Sequence, residues 1–164
     1  KNYKEMYLIF FKVNINEVYL LDAIDSNDIN TIQQNANALS QFATEGLEIL
    51  STVELYKNDP SLIKVTKKLF DFYIDESDNK ITEITDFLIL NEDFNSIKTT
   101  LDKTPQKKRT QKQINSYNDK VKELNRSVKN YNALNDKLNS KRSSLVNELN
   151  NTNTRFLAKH IPKD

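Results

Sequence analysis

Residues 114–156, INSYNDKVKELNRSVKNYNALNDKLNSKRSSLVNELNNTNTRF, carry the longest regular pattern of the chain. Alternating spacings of three and four, the a and d positions of a heptad repeat, define a seam of about six heptads. It comprises Ile114, Tyr117, Val121, Leu124, Val128, Tyr131, Asn135, Leu138, Arg142, Leu145, Leu149, Thr152 and Phe156. We call it the C-terminal seam. It predicts one long helix, covered by partner helices that lie nearly parallel to it.

Clusters of capping residues divide the rest of the chain. Asp59 can accept a hydrogen bond from the first amides of a helix, and Pro60 suits the first helical position. The same reasoning makes Thr104 a cap before Pro105, and a further cluster covers residues 25–28. Pro162 ends the last helix. The sequence therefore predicts helices over residues 2–25, 28–57, 60–101 and 105–159.

Apolar residues at helical spacing support each predicted segment. The second segment has small residues in the middle of its stripe, which allow close approach of a neighbouring helix; the stripe is Ile29, Ile32, Ala36, Leu39, Ala43, Gly46, Leu50 and Val53. The first segment has a broad stripe, which we expect to be core: Tyr3, Met6, Phe10, Val13, Leu20 and Ile24, widened by Tyr7, Phe11, Val18 and Leu21. In the third segment the polar run at residues 75–79 predicts a kink or a more solvent-exposed stretch of the helix.

Together these features predict an all-α fold. Short joints make consecutive helices antiparallel, so the expected architecture is an elongated up-down antiparallel four-helix bundle with a long C-terminal helix, in one domain over residues 1–164. At a rise of about 1.5 Å per residue, the third and fourth helices are longer than the first two. We expect the hairpin around residues 88–118 to project past the shorter pair, unless the third helix breaks near Asp78.

Composition excludes several kinds of chemistry. The chain has 164 residues with one Gly, one His and no Cys. One Gly argues against phosphate-binding loops and nucleophile elbows, and the absence of Cys removes disulfides and thiolate metal sites. Di-iron bundles need Glu-x-x-His on two helices, and no Glu stands three residues before His160. No apolar run is long enough to span a membrane. We expect no catalytic residues, no metal site, no cofactor and no enzymatic activity.

Charge is divided unevenly along the chain. Residues 1–101 hold 9 Lys against 17 acidic residues, whereas residues 102–164 hold 15 Lys and Arg against 6 acidic residues. One interpretation is that opposite charges fix which helices become neighbours. The other is that the basic helix, beginning at Lys107, Lys108 and Arg109, binds an anionic surface. The overall charge of +1 argues against nucleic acid as the partner.

Two groups of residues are candidate sites. A projecting hairpin would uncover Phe87, Leu90, Phe94, Ile97 and Tyr117, which makes its tip the preferred interaction site; the alternative is that the two helices cover one another there. On the C-terminal seam, Asn135 and Arg142 are polar. They either set the register of the bundle, with Arg142 pairing to a carboxylate or reaching solvent, or they line a pocket for a small ligand.

Short stretches of the sequence resemble uncharacterised bacterial surface or secreted helical-bundle proteins of the lipoprotein kind. They are LFDFY at residues 69–73, ITEI at 81–84 and RFLAKHIP at 155–162. The resemblance implies export to the periplasm or cell surface, and membrane attachment only through an anchor upstream of Lys1. It implies no activity.

These observations favour a non-enzymatic, exported structural or interaction module whose partner is another protein or a cell-surface component. The sequence leaves open whether the chain is a monomer or a dimer. Two alternatives remain: a ligand-sensing bundle with an internal pocket, and an anion-binding protein that uses its basic C-terminal helix on nucleic acid or lipid headgroups.

Overall fold

The computed structural model describes residues 2–161, apart from the side chains of residues 2, 3 and 5, so the side chain of Tyr3 and all of Pro162 lie outside the described part. The described chain is 92% helical and contains no strand. The helices are α1 (Asn2–Asp25), α2 (Ile29–Thr52), α3 (Ser61–Asp75), α4 (Ile81–Lys103) and α5 (Gln111–His160). A π-helical turn (Glu76–Lys80) joins α3 to α4, so four helical segments are present. The all-α class and the long C-terminal helix of 50 residues are thus confirmed.

The joint between α1 and α2 is a tight turn with a defined cap on each side. Asn27 has a φ of 55°, and its N–H donates to Ile24 O while the Asp28 N–H donates to Ala23 O. This is the Schellman pattern, with Asn in the left-handed position. Asp28 then accepts the Thr31 N–H at 3.1 Å and so caps α2.

Helix α2 ends at Thr52, before the expected end at 57. The hydroxyls of Ser51 and Thr52 donate to the carbonyls of Glu48 and Ile49, which satisfies acceptors in the last turn. The chain then becomes extended and passes through a 3-10 turn (Tyr56–Asn58) in which Lys57 and Asn58 have positive φ. Asp59 accepts the Ser61 N–H at 3.0 Å, as predicted, but Pro60 occupies the N-cap position and α3 begins at Ser61, so the placement of Pro60 as the first helical residue was wrong.

Helix α5 begins at Gln111 and not at 105, so the prediction of Thr104 as its cap was wrong. Thr104 instead donates its hydroxyl to Thr100 O, and residues 106–108 form a 3-10 turn. Thr110 and Gln113 form a capping box: Gln113 N–H donates to the Thr110 hydroxyl at 3.2 Å, and Thr110 N–H donates to Gln113 Oε1 at 2.9 Å. The helix therefore starts at this capping box and not at Thr104 and Pro105.

The described chain divides into two compact units. The first contains the residues up to 81 and those from 138 onward, and the second contains residues 82–137. In the first unit α1 and α2 pair in opposite directions, since Asn35 donates to Tyr19 O while Lys12 faces Glu45 at 3.6 Å. Helix α3 and the end of α5 also run in opposite directions: Lys68 contacts Glu148, and Asp59 contacts Lys159.

Gly46 lies where side chains of α1 and α3 pack closely against α2. A Cβ at this position would lie 2.5 Å from Phe70 Cε2 and 3.3 Å from Ile9 Cγ1. Phe70 is fully buried and stacks on Phe10 with ring centroids 6.3 Å apart. The small residues of the α2 stripe therefore do what the sequence indicated, because they admit a large aromatic side chain.

Helix α1 departs most from expectation. Its predicted core positions Val13 and Leu20 are fully buried. The residues expected to widen that face do not join it: Tyr7, Phe11 and Val18 have 67%, 56% and 50% of their surface exposed. The second stripe of α1 thus lies on the outside of the unit.

The second unit consists mainly of α4 and the first part of α5, which run in opposite directions. Phe87 stacks on Tyr131 with centroids 4.2 Å apart, and Phe94 packs against Tyr117 at 5.6 Å. Within this unit the C-terminal seam is partly covered, with Ile114 still exposed. Leu138, where α5 enters the first unit, is buried.

Candidate functional site

A buried cluster of charged residues lies in the first unit, around Arg142 of α5. Arg142 Nε is 2.6 Å from Glu17 Oε1 of α1, and Arg142 Nη2 contacts Glu76 Oε1 of the π turn. Tyr73 of α3 donates its hydroxyl to Glu17 Oε2 at 2.8 Å. All four side chains are nearly inaccessible to solvent. One guanidinium therefore connects three helical segments through two carboxylates.

Glu76 is the residue at which α3 passes into the π turn. The Ile81 N–H donates to Glu76 O, a hydrogen bond that spans five residues and inserts one residue into the helix. Glu76 continues the buried spacing of Leu69 and Tyr73, so its carboxylate faces the core. A π turn at this place explains the polar interruption at residues 75–79 that the sequence showed.

The cluster has an excess of acid, because it holds two carboxylates and one guanidinium. Burial raises the pKa of Glu76, and Glu17 adds to this, while Arg142 opposes it. Burial and the neighbouring Glu17 also raise the pKa of Tyr73, which keeps its hydroxyl protonated as a donor.

Hydrogen bonding within the cluster is incomplete. Glu76 Oε2 and the Ser77 hydroxyl are buried without a hydrogen-bond partner among the described residues. The Nε of Arg142 pairs with Glu17 by charge, without the alignment of a hydrogen bond. Such a cluster costs free energy to bury, and the loss of one partner leaves a buried charge without compensation.

Of the two polar seam residues, only Arg142 lies in this cluster. It belongs to the first unit, where it also donates to Asn139 Oδ1 at 2.7 Å, whereas Asn135 lies in the second unit and is partly exposed. The pairing of Arg142 with a carboxylate, one of the options from the sequence, is what the structure shows. The internal ligand pocket stays a prediction.

The predicted interaction tip lies in the second unit. Its residues are partly buried, and Phe87, Leu90 and Tyr131 line a pocket of about 260 Å³ between α4 and α5. Ile97 lines a second groove farther along the same pair of helices. The packing of Phe87 and Phe94 on tyrosines corresponds to the alternative in which the two helices cover one another.

The predicted anion contacts lie in and beside the 3-10 turn before α5. Lys107 and Lys108 are exposed, while Arg109 is partly buried and donates from Nε to Thr104 O at 3.0 Å. A second basic surface, which sequence reasoning missed, lies in the first unit. It is a groove of about 480 Å³ whose basic residues are Lys64, Lys68, Arg155 and Lys159.

The single histidine contacts Asp59, an acidic residue that lines this groove. His160 is buried, with its Nε2 2.8 Å from Asp59 Oδ2, and Lys159 donates to the same oxygen at 2.9 Å. Hydrogen bonds to Ser61, His160 and Lys159 hold the pKa of Asp59 well below its usual range. His160 also packs edge-on to Tyr56 at 5.5 Å, which ties the end of α5 to the loop before α3.

Sequence reasoning missed Glu17, Glu76 and the exposed face of α1. A signal for the two carboxylates was present: each is an acidic residue at a core position of its stripe, Glu17 between Val13 and Leu20, and Glu76 after Leu69 and Tyr73. Two unpaired acids on apolar stripes, with one Arg on the seam of α5, indicate a buried ion-pair cluster.

Comparison with known proteins gives no match: no family model, no curated protein and no solved structure is similar to the chain, which is consistent with an uncharacterised family. The likeness to bacterial surface bundles therefore stays a prediction. Among residues 2–161, no helix is long and apolar enough to cross a membrane. The same part of the chain has no group of three or more His, Cys, Asp or Glu side chains placed to hold a metal ion.

Proposed function

We propose that the chain is a non-enzymatic structural or interaction module that binds a protein partner through the outer face of α1. The observation that carries this proposal is the exposure of Tyr7, Leu8, Phe11, Val18 and Tyr19, each at least half exposed on a single helix. Isolated exposed apolar residues are common, but a contiguous patch of this kind marks an interaction surface.

The proposed scaffold for this surface is an up-down antiparallel four-helix bundle within one domain. The opposite directions of α1 and α2, and of α3 and α5, support it in the first unit. The Arg142 cluster supports it further, because a charged core tolerates few alternative packings. A rigid core of this kind would hold the outer face of α1 in one orientation.

Site-specific photo-crosslinking in the producing cells tests the proposed function. A photoreactive residue in place of Phe11 or Val18 should give a discrete protein adduct. The same residue in place of Gln41, which is exposed on α2, is the matched control and should give none. An identical adduct pattern at all three positions, or no protein adduct from α1, would contradict the proposal. The proposed location, the periplasm or cell surface, rests on the resemblance and is tested by fractionating the same cells.

A second candidate function is anion binding through the basic C-terminal helix. The groove between this helix and α3 favours it, since Arg155 and Lys159 of α5 join Lys64 and Lys68 of α3 there, and these four cations face only two acids, Asp59 and Glu148. Asp59 and Glu148 pair with Lys159 and Lys68, so Lys64 and Arg155 carry the excess charge. Such a groove suits a phosphate group, whether free or on a lipid.

Binding to inorganic phosphate and to acidic phospholipid vesicles, each at low and high salt, tests this candidate. If the groove is the binding site, the double variant Lys64→Gln and Arg155→Gln should abolish binding. If the predicted contacts before α5 are the binding site, the double variant Lys107→Gln and Lys108→Gln should abolish it instead. Affinity should fall as salt rises. Absence of binding to both probes at low salt would remove this function.

A further inference from the structure

The outer face of α1 has an internal symmetry that points to its partner. We define this face as the exposed or partly exposed apolar residues opposite the buried side of the helix. At about 100° per residue they fall within an arc of about 120°. They are Tyr7, Leu8, Phe11, Ile15, Val18 and Tyr19.

These residues form pairs of like size about the middle of the helix. Tyr7 corresponds to Tyr19, Leu8 to Val18 and Phe11 to Ile15, and the two numbers in each pair sum to 26. The midpoint is the level of Val13, which is itself buried on the opposite side of α1. When two copies of a helix lie antiparallel about a two-fold axis at that level, residue i of one copy lies at the same height along the pair as residue 26 − i of the other.

Charges flank the face in the same relation. Lys4 precedes it and Asp22 follows it, both exposed, and their numbers also sum to 26. An antiparallel pair places Lys4 beside Asp22 of the partner subunit at both ends, whereas a parallel pair places like charges together. A membrane surface fits less well, because helices that lie on anionic lipid are rich in Lys and Arg along the polar edge.

We infer that the partner of this face is a second copy of the chain, bound through an antiparallel α1–α1 contact with two-fold symmetry. This inference rests on the proposed function and names its partner. Since aromatic side chains offer about 150–250 Å² each and half or more of each is exposed, the face provides on the order of 500 Å² per copy. Two copies thus bury about 1,000 Å², near the lower limit for a specific interface, so we expect a weak, reversible dimer.

Sedimentation of the purified full chain over a range of concentrations is the first test. The chain should shift from monomer to dimer in the micromolar range. Phe11→Glu should weaken dimerisation at least tenfold, whereas Leu157→Glu, at an exposed apolar residue of α5, should leave it unchanged. Thermal unfolding monitored by circular dichroism should confirm that both variants are folded. A dimer that tolerates Phe11→Glu would overturn the inference.

Charge reversal tests the direction of pairing without touching the apolar face. Lys4→Asp and Asp22→Lys should each weaken the dimer, and the double variant should restore it, because opposite charges again meet. A parallel contact would show no such rescue.

Cysteine crosslinking tests the register, since the chain has no cysteine of its own. A mixture of the single variants Leu8→Cys and Val18→Cys should form disulfide-linked dimers rapidly, while each variant alone should not. Rapid self-crosslinking of either variant alone would overturn the antiparallel register. If the chain stays monomeric at every concentration while crosslinking in cells from Phe11 captures a different protein, this inference is wrong and the proposed function stands.

Discussion

Helices α1 and α5 show opposite relations between sequence pattern and burial. Helix α5 is polar over most of its surface, with a narrow apolar seam that is partly covered, apart from the exposed Ile114 and Val128. Helix α1 is apolar on two opposite sides, and only one of them is buried. A helix with one narrow apolar stripe can bury its apolar residues in only one orientation. A helix with apolar residues on two opposite sides can bury one side while the other side stays exposed.

The difference also separates structural from functional apolar residues. On α5 most apolar residues of the seam are at least partly covered within their unit. On α1 the residues of the outer face contribute little to the core, and the proposal gives them a contact outside the chain. The four predictions below test this contrast, beginning with the largest expected effect.

Replacing Arg142 by Leu should destabilise the protein by about 3–5 kcal/mol, because it leaves two buried carboxylates without a countercharge. If Arg142 served only to set the register of the bundle, the same substitution should cause little loss of stability. Chemical denaturation gives the change in the free energy of unfolding. The matched control adds Glu17→Met and Glu76→Met to Arg142→Leu, and this triple variant should recover most of the loss. A single variant as stable as the natural chain would show that the cluster does not hold the helices together.

The two sides of α1 should respond differently to the same substitution. Leu20→Ala should cost about 2–5 kcal/mol, since Leu20 is fully buried. Leu8→Ala should change stability by no more than about 0.5 kcal/mol in the monomer, because Leu8 is 55% exposed. Denaturant unfolding at a concentration well below dimerisation measures both. Equal losses of stability in the two variants would mean that the outer face of α1 is packed against the rest of the protein.

Gly46→Ala should destabilise the first unit by about 1 kcal/mol, because overpacking against Phe70 and Ile9 outweighs the gain in helix propensity. Thermal unfolding measures the change. Adding Phe70→Leu should turn the alanine from unfavourable to neutral, as it removes the ring that the new methyl group meets. A stabilising Gly46→Ala would mean that the two helices are free to move apart.

Much of the helical architecture could be predicted from the sequence, and particular residues show why. Asp28 caps α2, and Asp59 accepts the Ser61 N–H at the start of α3, because a carboxylate just before a helix can accept the free amides of its first turn. The stripe of α2 with Gly46 and the seam of α5 each have one apolar side. The starts and ends of helices were harder to predict where two capping signals lie close together. At the start of α5, the structure uses the Thr110–Gln113 capping box and not Thr104.

The candidate site was harder to anticipate, because its partners come from distant parts of the chain. Arg142 was visible as an anomaly on the seam, but its carboxylates are 125 and 66 residues away in sequence, at Glu17 and Glu76. Which side of α1 faces outward is likewise decided by α2 and Phe70, not by α1 itself. Local pattern identifies the unusual residues, and tertiary packing decides what they meet.

The smallest expected effect is a pH dependence of stability from Glu76. Its pKa is raised in the folded protein above the ordinary value of 4.5, so its contribution to stability is fully present below pH 4.5 and is lost as pH rises through the raised pKa. Denaturation at a series of pH values should show this decline, and Glu76→Gln should flatten it. A decline that persists in the Gln variant would have to come from another group.

The most direct test of the account is the rate at which thiol reagents modify single cysteines placed along α1. In dilute solution Phe11→Cys and Val18→Cys should react rapidly while Val13→Cys is protected, and at high concentration the first two should become protected as well. Slow modification of residues 11 and 18 in the dilute monomer, or rapid modification that no concentration reduces, would contradict the assignment of this side of α1 as a surface for a second copy.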